Sequence, residues 1–310
     1  MTAEPRNILI IKLGALGDFV QAMGPCAAIR RAYRTARITL LTTGPYAEFA
    51  GQSDYFDDIW TDCRPRWWQV GGWLALKRQL DDGSFDRVYD LQTSDRSSFY
   101  YRLLQRPKPD WSGIAAGCSL PHANPQRDFM HTIERQREQL AMAGIDDVPL
   151  PRFDWIGNGT DNEFGLPAKY VLLVPGGSAG RPGKRWPILH YIALAKSLHE
   201  HERQPVLIGA ADEADRNAAI SRACAQALDL TGRTSIADIA RLARQASGAV
   251  GNDNGPMHLI AAAGCPSLVL YSAESDPALC AQRGPDVDIL RRDILADLRP
   301  DEVEAAIRLR

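Results

Sequence analysis

Three carboxylates, a lysine and a histidine stand where this chain could do chemistry. Asp253 and His258 lie in the stretch 250–263, VGNDNGPMHLIAAA. Lys184 closes a glycine-rich run, PGGSAGRPGK, at 175–184. Glu213 ends GAADE at 209–213, and Asp18 ends GALGD at 14–18. A carboxylate can accept from sugar hydroxyls or take a proton from one. A lysine beside glycine amides suits phosphate. Each residue also has an ordinary reading. Asp18 and Glu213 are acids in the first turn of a helix, favoured by its dipole. Asn254 is an N-cap, and Lys184 is a solvated cation on a surface loop. His258, one turn into its helix, can face a ligand or brace the turn.

The elements that must position these residues follow one grammar. An apolar run at 7–13, NILIIKL, reads as a strand buried on both faces, and a helical pattern at 19–33 follows the glycine turn. Strand patterns recur at 37–43 and 85–91, and helical patterns at 73–80, 97–104 and 131–143, the last capped by Gly144. Residues 146–165 are rich in Asp, Asn, Pro and Gly and poor in periodicity. They predict a domain boundary, giving domains 1–157 and 158–310. The second half repeats the grammar. Strands are expected at 169–174, 204–209, 248–250 and 266–271. Helices are expected up to 200, at 214–227, at 235–244 with a Ser235/Asp238 capping box, from Pro256 to Gly264, and at 301–309. Alternation of this kind predicts an α/β chain with two doubly wound, mostly parallel sheets, whose ligands sit at the carboxyl ends of the strands.

Composition narrows the function classes. The chain has 310 residues, a formal net charge of -2, 45% hydrophobic and 24% charged residues. That balance argues against a general nucleic-acid binder. Its six cysteines show neither CxxC spacing nor a zinc pattern with histidine, as in a reduced cytosolic protein with incidental thiols. No signal-peptide pattern opens the chain, and no apolar run reaches the roughly 20 residues of a membrane span. The turn at 14–18 is not GxGxxG, and 175–185 is not a Walker loop, because Arg185 stands where Ser or Thr is needed. Residues 64–106 are rich in Trp and Arg. A solvated surface with some packed indoles suits most of them. The sharper reading is a cationic, aromatic-edged face for an anionic lipid headgroup or a phosphorylated sugar.

Taken together, IIKLGALGDFVQAMG at 10–24, DLQTSDRSS at 90–98, HTIERQREQL at 131–140, KRWP at 184–187, GAADE at 209–213 and GNDNGPMHLIAAAG at 251–264 resemble glycosyltransferase family 9, the ADP-heptose:lipopolysaccharide heptosyltransferases and their relatives. The resemblance implies a GT-B fold, two Rossmann-like domains facing across a cleft, and an inverting transfer from a nucleotide sugar without a bound metal or other cofactor. It implies Asp18 as general base and Lys184 on the donor diphosphate. Gly177 and Ser178 fall in the donor loop, Glu213 on the ribose, Asp253 on the donor sugar, and the Asn254 and Gly255 amides on phosphate. His258 belongs to the signature, and Gly17, Gln92 and Arg96 fall on the acceptor side. The implied partners are ADP-heptose and a lipopolysaccharide inner-core or other glycan acceptor. The implied place is the cytoplasm, with peripheral contact to the inner membrane. The chain departs from the family pattern at Asn254, where Thr is common, in the phosphate loop, where Ser178 is the one hydroxyl, and at YSAESDP, 271–277. Other readings keep the family and change the sugar or acceptor, or make the chain a nucleotide-sugar epimerase, a hydrolase or a binding module.

Overall fold

The computed structural model describes residues 4–157, 163–178 and 180–310. Residue 158, where the sequence sets the second domain's start, and Ala179 of the glycine loop lie outside them. The chain forms two compact units, Met1–Pro151 and Arg152–Arg310.

In the first unit the elements are β1 (Asn7–Ile11), α1 (Leu16–Ala32), β2 (Arg37–Thr42), α2 (Gly44–Gly51), β3 (Asp58–Thr61), α3 (Val70–Asp82), β4 (Arg87–Asp90), α4 (Asp95–Leu103), β5 (Asp110–Gly113), β6 (Leu120–Pro121) and α5 (Thr132–Met142). In the second they are β7 (Tyr170–Val174), α6 (Ile188–Glu200), β8 (Gln204–Leu207), α7 (Ala214–Ala223), β9 (Leu228–Asp229), α8 (Ile236–Gln245), β10 (Gly248–Asn252), α9 (Gly255–Ala262), β11 (Ser267–Tyr271), α10 (Pro277–Cys280), β12 (Val287–Arg291) and α11 (Pro300–Ala306). The central strands and most helices fall where periodicity puts them. Two ends differ in a way that matters. α1 starts at Leu16 rather than Phe19, which takes Asp18 into its first turn. β10 runs on to Asn252 rather than stopping at Val250, so Asn252 is a buried strand residue and not part of the turn.

Both sheets are six-stranded and parallel throughout, ordered β3-β2-β1-β4-β5-β6 and β12-β11-β10-β7-β8-β9. Counted from each unit's own first strand, both have the doubly wound order 3-2-1-4-5-6. Helices must then cover both faces, which is why β1 and β7 can be apolar almost end to end. Ile8 to Ile11 and Val171 to Val174 have no solvent exposure. Each such side chain contributes roughly 1.5–3 kcal/mol by burial. One core lies under α3 and α4, with Leu9, Ile11, Leu76, Leu80, Tyr100 and Trp111. Another lies under α6 and α11, with Val171, Leu173, Trp186, Tyr191 and Leu270.

This order places the ligand edges. The winding reverses between β1 and β4 in one sheet, and between β7 and β10 in the other. Loops leaving the carboxyl ends of such a pair diverge and open a crevice. The loops at these two points are 12–15 and 91–94 in the first unit, and 175–187 and 253–254 in the second.

Candidate active site

In the first unit, the turn before α1 is held through one residue. The Leu13 amide donates to Gln92 Oε1 at 2.9 Å, and the Leu13 carbonyl accepts from Thr43 Oγ1 at 3.0 Å. Gly14 sits at φ +125°, and a Cβ there would lie 2.8 Å from the Tyr46 ring. Only glycine fits both demands. Tyr46 in turn stacks on Phe19 at 4.9 Å. The result is an exposed Asp18 in the first turn of α1, with Gly17 buried beneath it.

Lys12, not among the residues that the sequence motifs single out, is buried just before this turn. Its Nζ donates to the Leu91 carbonyl at 3.2 Å. Burial pushes its pKa down, while the charges of Asp18 and Asp90 pull it back up. Asp90, at the end of β4, is fully buried, and burial pushes it up to about 6 against amides from Thr93 and Gln92. Arg135 of α5 also feels Asp18; its own pKa is lowered, chiefly by burial and by Arg127. Asp18 is therefore a solvent-facing carboxylate whose charge is felt by Lys12 and Arg135. The signal for Lys12 was present, as the one charge in an otherwise apolar strand run.

The acceptor-side residues divide. Gln92 shapes the Asp18 turn through Leu13. Arg96 donates to the Pro65 carbonyl at 3.1 Å and lies over the Trp73 ring at 5.2 Å, so it fixes the loop before α3.

The second unit is built around Asn252. Nδ2 donates to the carbonyls of Pro175 and Gly176 at 2.8 and 2.9 Å. Oδ1 accepts from the Trp186 amide at 3.0 Å and the Tyr191 hydroxyl at 3.2 Å. All four hydrogen-bonding positions of the amide are used. One buried side chain thus ties the end of β10 to both ends of the 175–187 loop. Trp186, itself unexposed, is pinned again by its indole N–H on the Leu298 carbonyl at 2.8 Å. Asn252→Ala would leave several buried backbone groups unpaired, each costing ~1–3 kcal/mol. The variant is expected to lose about 3 kcal/mol in denaturant unfolding, and a loss below ~0.5 kcal/mol would contradict the bracket.

Lys184 and Asp253 meet within this frame. Lys184 Nζ donates to Asp253 Oδ2 at 2.6 Å. Ser275 Oγ donates to the same oxygen at 2.8 Å. Asp253 Oδ1 accepts from Gln282 Nε2 at 3.0 Å and from the Tyr271 hydroxyl at 3.1 Å. Burial pushes the Asp253 pKa up. The Lys184 hydrogen bond and charge, with Ser275 and Gln282, outweigh it and hold the carboxyl below its usual value. A carboxylate offers about four lone-pair sites; Lys184, Ser275 and Gln282 take three, and the Tyr271 hydroxyl, which also meets Gln282 Oε1 at 2.8 Å, faces the fourth. A sugar hydroxyl would reach Asp253 only by displacing one of these donors.

Asn254 caps α9. Its Oδ1 accepts from the Met257 amide at 3.1 Å, and its Nδ2 donates to the Gly176 carbonyl at 3.0 Å. Pro256 has no amide, and the amides of Asn254 and Gly255 find no acceptor among the described residues. They are the free donors of the helix start. His258 is buried one turn further on.

Glu213 closes the other side. Its Oε1 accepts from the Gly177 amide at 2.8 Å and its Oε2 from the Ala210 amide at 3.0 Å. A Cβ at Gly176 would lie 1.6 Å from Glu213 Oε1, so a larger residue there would push the Glu213 carboxylate off its amide partners. The Gly177 amide is thus spent on Glu213, and its carbonyl accepts from Arg185 Nη2 at 2.6 Å. The loop therefore offers a ligand less backbone than its glycine content suggests. Ser178 is exposed. Each Glu213 oxygen keeps a lone pair for a further donor. Among the described residues no group of three or more His, Cys, Asp or Glu could hold a metal ion.

Known proteins resemble this chain in sequence and fold. The family model described as glycosyltransferase family 9 (heptosyltransferase) matches residues 73–291. Lipopolysaccharide heptosyltransferase 2 of Escherichia coli K12 is 34% identical over 229 residues, which cover 67% of this chain and 65% of that protein. The match thus spans just under two thirds of that relative's length. The structure of E. coli ADP-heptose lps heptosyltransferase II is similar with a TM-score of 0.80 at 22% identity, over 96% of each chain. E. coli heptosyltransferase WaaC with ADP is similar with a TM-score of 0.78 at 21% identity, over 96% of this chain and 98% of that one. These likenesses show an α/β fold of the GT-B class. With most of its length matched by the family model and the same fold as those structures, the chain belongs to glycosyltransferase family 9.

Proposed function

We propose that the chain is an inverting glycosyltransferase that moves heptose from ADP-heptose to an inner-core sugar of lipopolysaccharide, at the cytoplasmic face of the inner membrane. Family membership supports the reaction class, and the names of the similar proteins support the donor and acceptor. The observation that carries the reading is the Lys184–Asp253 pair beside the open amides of α9, at the switch point of the second sheet.

In this reading an acceptor hydroxyl oxygen attacks the anomeric carbon. The bond from that carbon to the diphosphate oxygen breaks, the hydroxyl proton passes to Asp18, and ADP leaves. Inversion follows from a single attack opposite the leaving group. Asp18 can serve as base because it is exposed and positioned by a clamped turn. Lys12 and Arg135 set the positive potential that draws an anionic acceptor. Negative charge grows on the departing diphosphate. Lys184 has three ammonium protons, of which Asp253 holds one, leaving the others for phosphate oxygens. The Asn254 and Gly255 amides add to it at a helix N-terminus. Asp253 is then the residue that aims Lys184, touching the donor sugar when Ser275 gives way. Glu213 accepts from the ribose hydroxyls with its remaining lone pairs, and Ser178 lies at the mouth of the phosphate loop.

A panel of nucleotide sugars tests the donor. At 100 times its dissociation constant a ligand adds ~2.7 kcal/mol of stability. ADP-heptose is expected to raise the melting temperature, and UDP- and GDP-sugars to leave it unchanged. Absence of any response to ADP-sugars would overturn the assignment.

A further inference from the structure

The loop before α3 and the outer faces of α3 and α4 carry large apolar side chains that no described element covers. Trp67 is 82% exposed, Trp68 54%, Val70 65%, Leu74 50% and Phe99 41%. Trp67 and Trp68 stand edge to face at 5.3 Å. Val70, Leu74 and Arg78 recur every four residues and so form one stripe, turned away from the buried Leu76 and Leu80. Phe99 joins them through Trp73, at 5.1 Å between rings. So many exposed large apolar groups in one region mark an interaction surface.

The charges around it indicate what it meets. Residues 64–108 hold nine Lys and Arg against five Asp and Glu, whereas the whole chain is nearly balanced at 36 against 38. Arg64, Arg66, Arg78, Arg102 and Arg106 are all exposed, and none forms an ion pair among the described residues. The Arg66 guanidinium lies over the Trp68 ring at 5.3 Å. Two copies meeting through this face would bring arginines against arginines, which disfavours a symmetric dimer. A layer of anionic headgroups over hydrocarbon matches both features. Exposed indoles favour the interfacial zone, and arginines favour anionic lipid.

We infer that this surface docks the protein on an anionic phospholipid bilayer, with Trp67 and Trp68 in the headgroup layer and the arginines on lipid phosphates. The 62–69 loop leaves the carboxyl end of β3, the same sheet edge from which the Asp18 turn leaves β1. Arg64 acts electrostatically on Tyr46, whose ring packs on Gly14 of that turn. Docking there brings the Asp18 edge to the bilayer, which deepens the reading of a lipid-borne acceptor and rests on it in this respect only.

Flotation of the full chain with phosphatidylcholine vesicles, with and without phosphatidylglycerol, tests the inference. The protein is expected to float only with phosphatidylglycerol, and less as salt is raised. Trp67→Ser with Trp68→Ser should abolish flotation while circular dichroism and melting temperature stay as in the wild type. Arg66→Gln with Arg78→Gln should lower the partition roughly fivefold per cation removed. No flotation with phosphatidylglycerol would overturn the inference. So would wild-type flotation of the double Trp variant, or a wild-type dimer that this variant breaks without vesicles. Turnover on a delipidated acceptor tests the transferase reading separately. The double Trp variant should retain it, and its absence in the wild type would overturn that reading while flotation still decides this one.

Discussion

Asp18→Ala is expected to lower sugar transfer by ~10²–10⁴-fold, the usual worth of a positioned general base, while leaving nucleotide affinity within twofold. The split follows from where the residue stands. Asp18 belongs to the first unit, and the proposed donor groups Lys184, Glu213 and the α9 amides belong to the second. The Leu13 clamp through Gln92 and Thr43 does not involve the carboxylate, so the turn keeps its form without it. Some stability is lost, because an acid in the first turn of a helix offsets the helix dipole by roughly 0.3–1 kcal/mol. Asp18→Asn keeps the size and removes the base, and should fall nearly as far. Initial rates at saturating donor, with calorimetric titration of ADP, check both halves. Near-wild-type turnover in either variant would remove Asp18 from the base role.

Lys184→Met carries the second large effect, and it should appear in both rate and stability. The loss of a charged donor to a leaving diphosphate is expected to cost ~10²–10³ in turnover, by analogy with loss of one oxyanion donor. It also strands Asp253, which is buried. Breaking a buried pair by removing one partner costs ~3–5 kcal/mol. Ser275, Gln282 and Tyr271 remain on Asp253, so a loss of about 2 kcal/mol is expected. The pH dependence identifies the cause. In the wild type the Asp253 pKa lies below its unfolded value, so its contribution is present above that value and is lost as pH falls through the folded one. Without Lys184, burial is opposed less and the folded pKa rises. The penalty is then largest near neutrality and shrinks as pH falls toward ~4, where the carboxyl is protonated in the unfolded chain as well. Denaturant unfolding across that range checks it. A penalty independent of pH would point to lost packing rather than to a stranded charge.

Much of this was legible in the sequence, and what was not has a common physical cause. Runs such as NILIIKL and YVLLV can only be strands covered on both sides, and alternation with helices then implies parallel sheets. The Ser235/Asp238 capping box and the Asn254 cap are local, formed by atoms three residues apart, and they were readable as such. The edge strands β3, β6, β9 and β12 are short or partly exposed, and their pattern is correspondingly faint.

The site's residue types were legible, but its partnerships were not. Asn252 looks like one more polar turn residue until the fold brings Pro175, Gly176, Trp186 and Tyr191 around it. The glycine loop looks like a cradle of free amides until Glu213 is seen to take one of them. Asp253 looks like an open acceptor until the side chains of positions 184, 271, 275 and 282 close around it. Contacts over such sequence separations depend on strand order, which local pattern does not carry.

The most direct measurement is the mass of a heptose-free inner-core acceptor after incubation with ADP-heptose and the purified chain. The expected result is the gain of one heptose per acceptor, release of ADP in equal amount, no ADP release without acceptor, and an inverted anomeric centre in the product. Acceptor left unchanged, or free heptose or an epimerised donor formed without acceptor, would contradict the assignment.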